Sequence, residues 1–229
     1  MKLNINSVKK GLILIAILIV PSLAYLLLST GKNKFIPLAI YGPKKVDSVL
    51  VDGKYRIDTV YHKTLPFSLT DQRGQTITDK DLEGKIYVAN FFFATCKSIC
   101  PKMTGQLQTV QKKFAAMRDL KIVSHTVDPE RDTVEALAQY GKQNLVKPGK
   151  WFLLTGDKKH IYDLARHSYL VNALQGDGGP EDFIHSELLV LVDKDKRIRG
   201  FYDGTNPEEV DRLVDEIKVL KVEYKEKEQ

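Results

Sequence analysis

The chain has 229 residues, 43% of them hydrophobic, and its 35 basic against 29 acidic residues leave a net charge of +6. That is enough apolar material for one good-sized core with accessories, so a chain of many domains is excluded. The lysines run from Lys2 to Lys227 without an aromatic-interleaved basic cluster, which excludes nucleic acid as the expected partner and leaves a solvated, slightly basic surface.

In chain order, residues 1–10 form a lysine-bearing N-terminus that is expected on the cytoplasmic side. Gly11 to Ser29 carry no charge and lie between Lys9-Lys10 and Lys32, matching the ~20 apolar residues that cross a bilayer as a helix. A cleaved signal peptide is the rival, because Ser22-Leu23-Ala24 resembles a cleavage site. The apolar run outlasts the ~7 to 15 residues of a signal core and continues past that point, so residues 11–29 are expected to be an uncleaved transmembrane anchor. Lysines flank both ends and leave the orientation undecided. The following domain is expected on the outer, extracytoplasmic face. Residues 30–64 read as a juxtamembrane tether with a small hairpin packed on the domain, in which His62 is a surface or turn residue.

Residues 65–221 carry the domain. Phe67 to Asp71 and Thr76 to Thr78 flank a Gln-Arg-Gly-Gln turn and predict a hairpin. The pattern then repeats: strand Ile86 to Phe93, helix from Pro101, strand Lys121 to Val127, helix Thr133 to Lys142, strand Trp151 to Thr155, helix Lys158 to Tyr169. Strands alternating with helices imply right-handed crossovers and a mainly parallel sheet. Val171 to Ile184 holds three glycines and a proline and predicts a long mobile loop. Leu188 to Val192 and Arg197 to Tyr202 predict an antiparallel hairpin, and Pro207 to Leu220 a helix with Val210, Leu213, Val214 and Ile217 on one face. Residues 222–229 read as a charged, frayed tail. The whole is an α/β, thioredoxin-like domain with an N-terminal hairpin, behind a single N-terminal transmembrane helix.

The chemistry centres on Cys96 and Cys100, the only two cysteines. Proline is tolerated in a helix only in its first turn, so Pro101 puts the helix start near Ser98 to Cys100. Both sulfurs then lie near the positive end of the helix dipole, which favours thiolate, the form that attacks disulfides and binds metals. The pair could be structural, redox-active or metal-binding, and its three-residue gap departs from the Cys-x-x-Cys of dithiol oxidoreductases. Thiolates select Cu(I) or zinc, and imidazole suits copper. Among the histidines, His125 reads as a hydrogen-bonded core or sheet-end residue and His160 and His167 as a solvated face. His185 closes the long loop and opens a strand, at a junction that a thioredoxin-like topology folds back beside the helix start. Asp128 reads either as a helix cap or as a group that orients a ligand.

Cys96-Lys-Ser-Ile-Cys100-Pro101, Val127-Asp128-Pro129-Glu130-Arg131-Asp132-Thr133 and Asp182-Phe-Ile-His185-Ser together resemble the Sco/SenC family of membrane-anchored copper proteins. The likeness runs from about Tyr61 to Leu220. It implies that Cys96, Cys100 and His185 are copper ligands and that Asp128 is the acidic residue near them, taking part beyond the ligands themselves. The family's motif often has proline after the first cysteine, where this chain has Lys97. The resemblance implies a metallochaperone for Cu(I) or Cu(II), delivering copper to the dinuclear copper site of cytochrome c oxidase subunit II. The competing expectation is a membrane-tethered thiol:disulfide oxidoreductase, with Cys96 attacking, Cys100 resolving and a thiol reductant protein as partner, so whether the chain is an enzyme stays open. A peroxidase of the peroxiredoxin type is disfavoured because that family's threonine stands three residues before the reactive cysteine, and here Thr95 is adjacent.

Overall fold

The computed structural model describes residues 5–30, 37–51, 54–171 and 186–227, in two units that divide between Ile36 and Pro37. The first unit contains helix α1 (Ile5–Thr30) with Pro21 inside it. The Ser22 hydroxyl donates to the Leu18 carbonyl at 2.8 Å, and Ile13, Leu14, Ile17, Leu18, Val20, Leu23 and Leu26 are exposed. Among the described residues no helix is long and apolar enough to cross a membrane. The single span expected over residues 11–29 is therefore not shown.

The second unit is built on a seven-stranded sheet of order β4-β3-β7-β6-β5-β8-β9. Its centre is β5 (Ile86–Phe92), β6 (Leu120–Thr126) and β7 (Trp151–Thr155), all parallel. Every residue of β5 is buried, which is why this strand reads as an almost unbroken apolar run, interrupted at Asn90. The hairpin β3 (Ser68–Asp71) and β4 (Thr76–Thr78) adds antiparallel to β7, and β8 (Leu188–Val192) and β9 (Ile198–Asp203) add antiparallel to β5. Helices α2 (Cys100–Lys113) and α5 (Pro207–Lys227) pack on one face through Met103, Leu107, Val110, Leu213 and Ile217. The other face is covered by α4 (Lys158–Asp163) and the π turn that continues it, Leu164–Ser168. Helix α3 (Val134–Gln143) starts at Thr133, whose hydroxyl accepts the Ala136 amide. This is the expected thioredoxin-like α/β arrangement.

Three differences from expectation have physical reasons. Strands β1 (Lys44–Val51) and β2 (Lys54–Tyr61) form a separate two-stranded sheet, and among the described residues the tether's hairpin is hydrogen-bonded to the domain at its base. There the Tyr41 amide donates to the Ile198 carbonyl and the Thr64 amide to the Lys196 carbonyl. His62 also sits at this base, its Nε2 2.8 Å from the Ser168 carbonyl oxygen. The helical spacing of Met103, Leu107, Val110, Phe114 and Met117 predicts a helix from Pro101 that reaches Met117, but α2 stops at Lys113, with Phe114 as its cap and Met117 beyond it, still buried. The expected frayed tail is helical to Lys227 because Glu223 pairs with buried Arg199 at 2.8 Å and the Tyr224 hydroxyl donates to Asp195 at 2.9 Å. Of the predicted loop, only Val171 lies among the described residues; 172–184, and His185 after it, lie outside them.

Candidate metal centre

Strand β5 delivers the chain to the C-terminal edge of the parallel strands, where crevices at strand ends receive ligands. The backbone then turns: the Cys96 amide donates to the Phe93 carbonyl at 3.2 Å, and α2 begins at Cys100 with Pro101 in its first turn. Ile99, in the N-cap position, offers no side-chain acceptor, so first-turn amides need another partner. The Cys96 sulfur lies there, 3.6 Å from the Ser98 hydroxyl oxygen, and hydrogen bonding from the Cys100 thiol, from the Cys100 and Ser98 amides and with the Ser98 hydroxyl favours its thiolate.

These contacts make the two thiols unequal. Burial alone would push Cys96 up, but the four hydrogen bonds outweigh it and hold the thiol at about 7. Cys100 is buried, and burial together with its donation to Cys96 pushes its thiol up to about 12. Both cysteines are free. The half-exposed sulfur thus carries the lower pKa, while the buried one keeps its proton as a hydrogen-bond donor.

The acid that ties the cysteine loop to the rest of the site is Asp132. Its carboxylate accepts from the Ala94 amide at 3.0 Å and, through a short contact, from the Thr126 hydroxyl. Burial raises its pKa against those bonds. Read from the sequence, Asp132 is only part of a helix start. Its spacing in the Asp-Pro-x-x-Asp run is the available signal, but nothing in the pattern says which acid faces the loop. Asp128 does not cap α3. Its amide donates to Thr126 Oγ1 at 3.0 Å, Arg131 lies 3.6 Å from its Oδ2, and that buried oxygen has no hydrogen-bond partner among the described residues. Tyr140 also escapes sequence reasoning. Its hydroxyl is 2.7 Å from Thr104 Oγ1, one turn after Cys100, and its ring tilts against Phe92.

His125 is a core residue, as expected, but among the described residues it lacks the expected hydrogen bond. It is fully buried against Phe91, Phe67 and Tyr169, neither ring nitrogen has a hydrogen-bond partner among the described residues, and burial pushes the imidazole down to about 4. It packs with the core face that α2 does not cover. Among the described residues no three His, Cys, Asp or Glu side chains gather to hold a metal, and His185 lies outside those residues. Two soft sulfurs in mutual hydrogen-bonding contact at a helix start are chemically suited to Cu(I).

A profile of the family described as SCO1/SenC matches residues 57–221. The SCO1 protein homolog of Bacillus subtilis (strain 168) is 28% identical over 168 residues, covering 72% of this chain and 86% of its own length. Among solved structures, BsSco is described as having a disulfide switch and as a member of the Sco family of cytochrome c oxidase assembly proteins. It superposes with a TM-score of 0.58 at 28% identity, covering 69% of this chain and 92% of its own. Arabidopsis thaliana ScoI, crystallised with copper bound, superposes with a TM-score of 0.55 at 32% identity, covering 68% and 98%.

Proposed function

The chain belongs to the SCO1/SenC family, and on that premise we propose that it binds copper through Cys96, Cys100 and His185 and delivers it to the dinuclear copper site of cytochrome c oxidase subunit II. The observation that carries this reading is the unequal dithiol at the start of α2, with Cys96 partly exposed and near neutral pH and Cys100 buried behind it. Copper supplies affinity for both sulfurs. The chain presents Cys96 first, releases the Cys100 proton on full ligation, and holds the loop through Asp132 and Ala94. Asp128, whose buried Oδ2 makes no hydrogen bond among the described residues and lies 3.6 Å from Arg131, is the acidic group that orients a ligand from outside the set itself. Residues 11–29 anchor the protein as a single membrane span, with the domain on the outer face. In support, the α1 side chains described from Ile13 onward are largely apolar and exposed. Cu(I) titration of the reduced protein by competition with a chromogenic chelator tests the ligand set. About one copper should bind, and Cys96→Ala, Cys100→Ala and His185→Ala should each weaken binding by ~10-fold or more. Wild-type affinity in His185→Ala would remove the imidazole.

A second reading is favoured by the same inequality. Cys96 as thiolate attacks a partner disulfide to form a mixed disulfide; Cys100 then attacks Cys96, releasing the partner's dithiol and leaving a Cys96–Cys100 disulfide that a thiol reductant must reopen. This two-electron exchange needs no imidazole. Turnover with a protein disulfide that survives His185→Ala but not Cys96→Ala would make it the principal activity.

A further inference from the structure

The β1–β2 ribbon stands outside the main sheet, and two-stranded ribbons are at best marginal alone in water. Its register pairs Val46 with Thr59 and Ser48 with Ile57. Paired residues point to the same side, and alternation along β2 puts Tyr55 on that side too. One side thus presents Val46, Ile57 and Tyr55, which are 66%, 73% and 79% exposed. The opposite side mixes Val60 with exposed Lys45 and Asp58. The base is held firmly. Gly42 has φ +105, and a Cβ there would lie 2.8 Å from the His62 Cβ, so the chain passes through with no room for a side chain. A ribbon fixed at its foot with three large apolar groups in water is a surface awaiting a cover.

The chain indicates what covers it. Lys44 follows the end of α1 at Thr30 by fourteen residues, which span at most about 50 Å even when fully extended. Tyrosine and lysine beside aliphatic side chains are the residue types that settle at a bilayer's headgroup level, and Lys44 and Lys45 are exposed at the ribbon's foot. We propose that the Val46–Ile57–Tyr55 face of the ribbon lies on the lipid surface, tying the domain close to the bilayer through a second contact beyond α1. This rests on the reading of residues 11–29 as a membrane anchor.

Brominated-lipid quenching tests it on the full chain. The native Trp151 is 1% exposed inside the core, so a tryptophan placed on the ribbon is the one that lipid can reach. Tyr55→Trp and, on the opposite side, Asp58→Trp are reconstituted into vesicles of phosphatidylcholine and phosphatidylglycerol, with and without bromines near the headgroup. A face resting about 5–10 Å into the boundary predicts loss of about half or more of the emission added by Y55W and much less of that added by D58W. Quenching of Y55W no stronger than that of D58W, in protein that floats with the vesicles, overturns the ribbon contact and leaves the anchor standing. Protein that fails to float overturns both, and the flotation step separates the two failures.

Discussion

Cys96 and Cys100 are chemically different because one sulfur accepts four hydrogen bonds and the other is buried and donates one of them. Iodoacetamide should therefore alkylate Cys96 with a rate that rises through about pH 7. Cys100→Ala removes a donor and should move that midpoint upward, which mass spectrometry of quenched samples would detect; an unmoved midpoint would mean that the amides and Ser98 hold the thiolate without it. The sign of linkage follows from the lowered value. A thiol depressed in the fold adds stability above its unfolded pKa and loses it as pH falls through about 7. His125 has the same sign for a different reason. Its imidazole is held at about 4 by burial, from 6.5, so its stability is whole above 6.5 and is lost as pH falls toward 4, on the order of 3 kcal/mol. His125→Phe should flatten the fall in Tm between pH 6.5 and 4; an equal slope in the variant would place the acid sensitivity elsewhere. At this scale the sequence is informative about the sulfurs, because proline marks a helix start. It cannot tell Asp128 from Asp132, since only the folded loop decides which carboxylate meets Ala94.

The elements are legible where one period dominates. All seven residues of β5 are buried and, Asn90 apart, read as one apolar run, and Pro101 locates α2 to within a residue or two. The last turns of α5 are misread because Lys221, Glu223, Lys225 and Glu226 look like a solvated tail. Composition hides that Glu223 and Tyr224 lie on the buried side, where Arg199 donates to Glu223, to Asp193 and to the carbonyls of Leu38 and Ala39. A buried arginine that loses one of its carboxylates keeps its desolvation cost without full compensation. Glu223→Ala should therefore cost about 3–5 kcal/mol, read as a lower urea midpoint at unchanged slope. A loss below about 0.5 kcal/mol, typical of a surface pair, would return these residues to the tail. Arg199→Met with Glu223→Leu should recover much of the loss, because the remaining Asp193 also pairs with Arg197 at 2.9 Å.

Across the whole molecule, copper, protons and the fold are linked, and the pH dependence follows from the two thiol values. Between about pH 7 and about 12 the free protein carries Cys96 as thiolate and Cys100 as thiol, so binding through both sulfurs expels one proton and affinity should change about tenfold per pH unit. Below 7 Cys96 is protonated too, two protons must leave, and the slope should approach a hundredfold per unit. Since copper stabilises the fold by RT ln(1 + [Cu]/Kd), the copper-dependent rise in Tm should shrink with acid along the same curve. Competition titrations with a Cu(I) chelator from pH 6 to 9, corrected for the chelator's own protonation, would show a break near 7. A single slope of about ten through that range would mean that Cys96 is not a ligand. The break should vanish in Cys96→Ser while persisting in His185→Ala, so the two ligand assignments can fail separately.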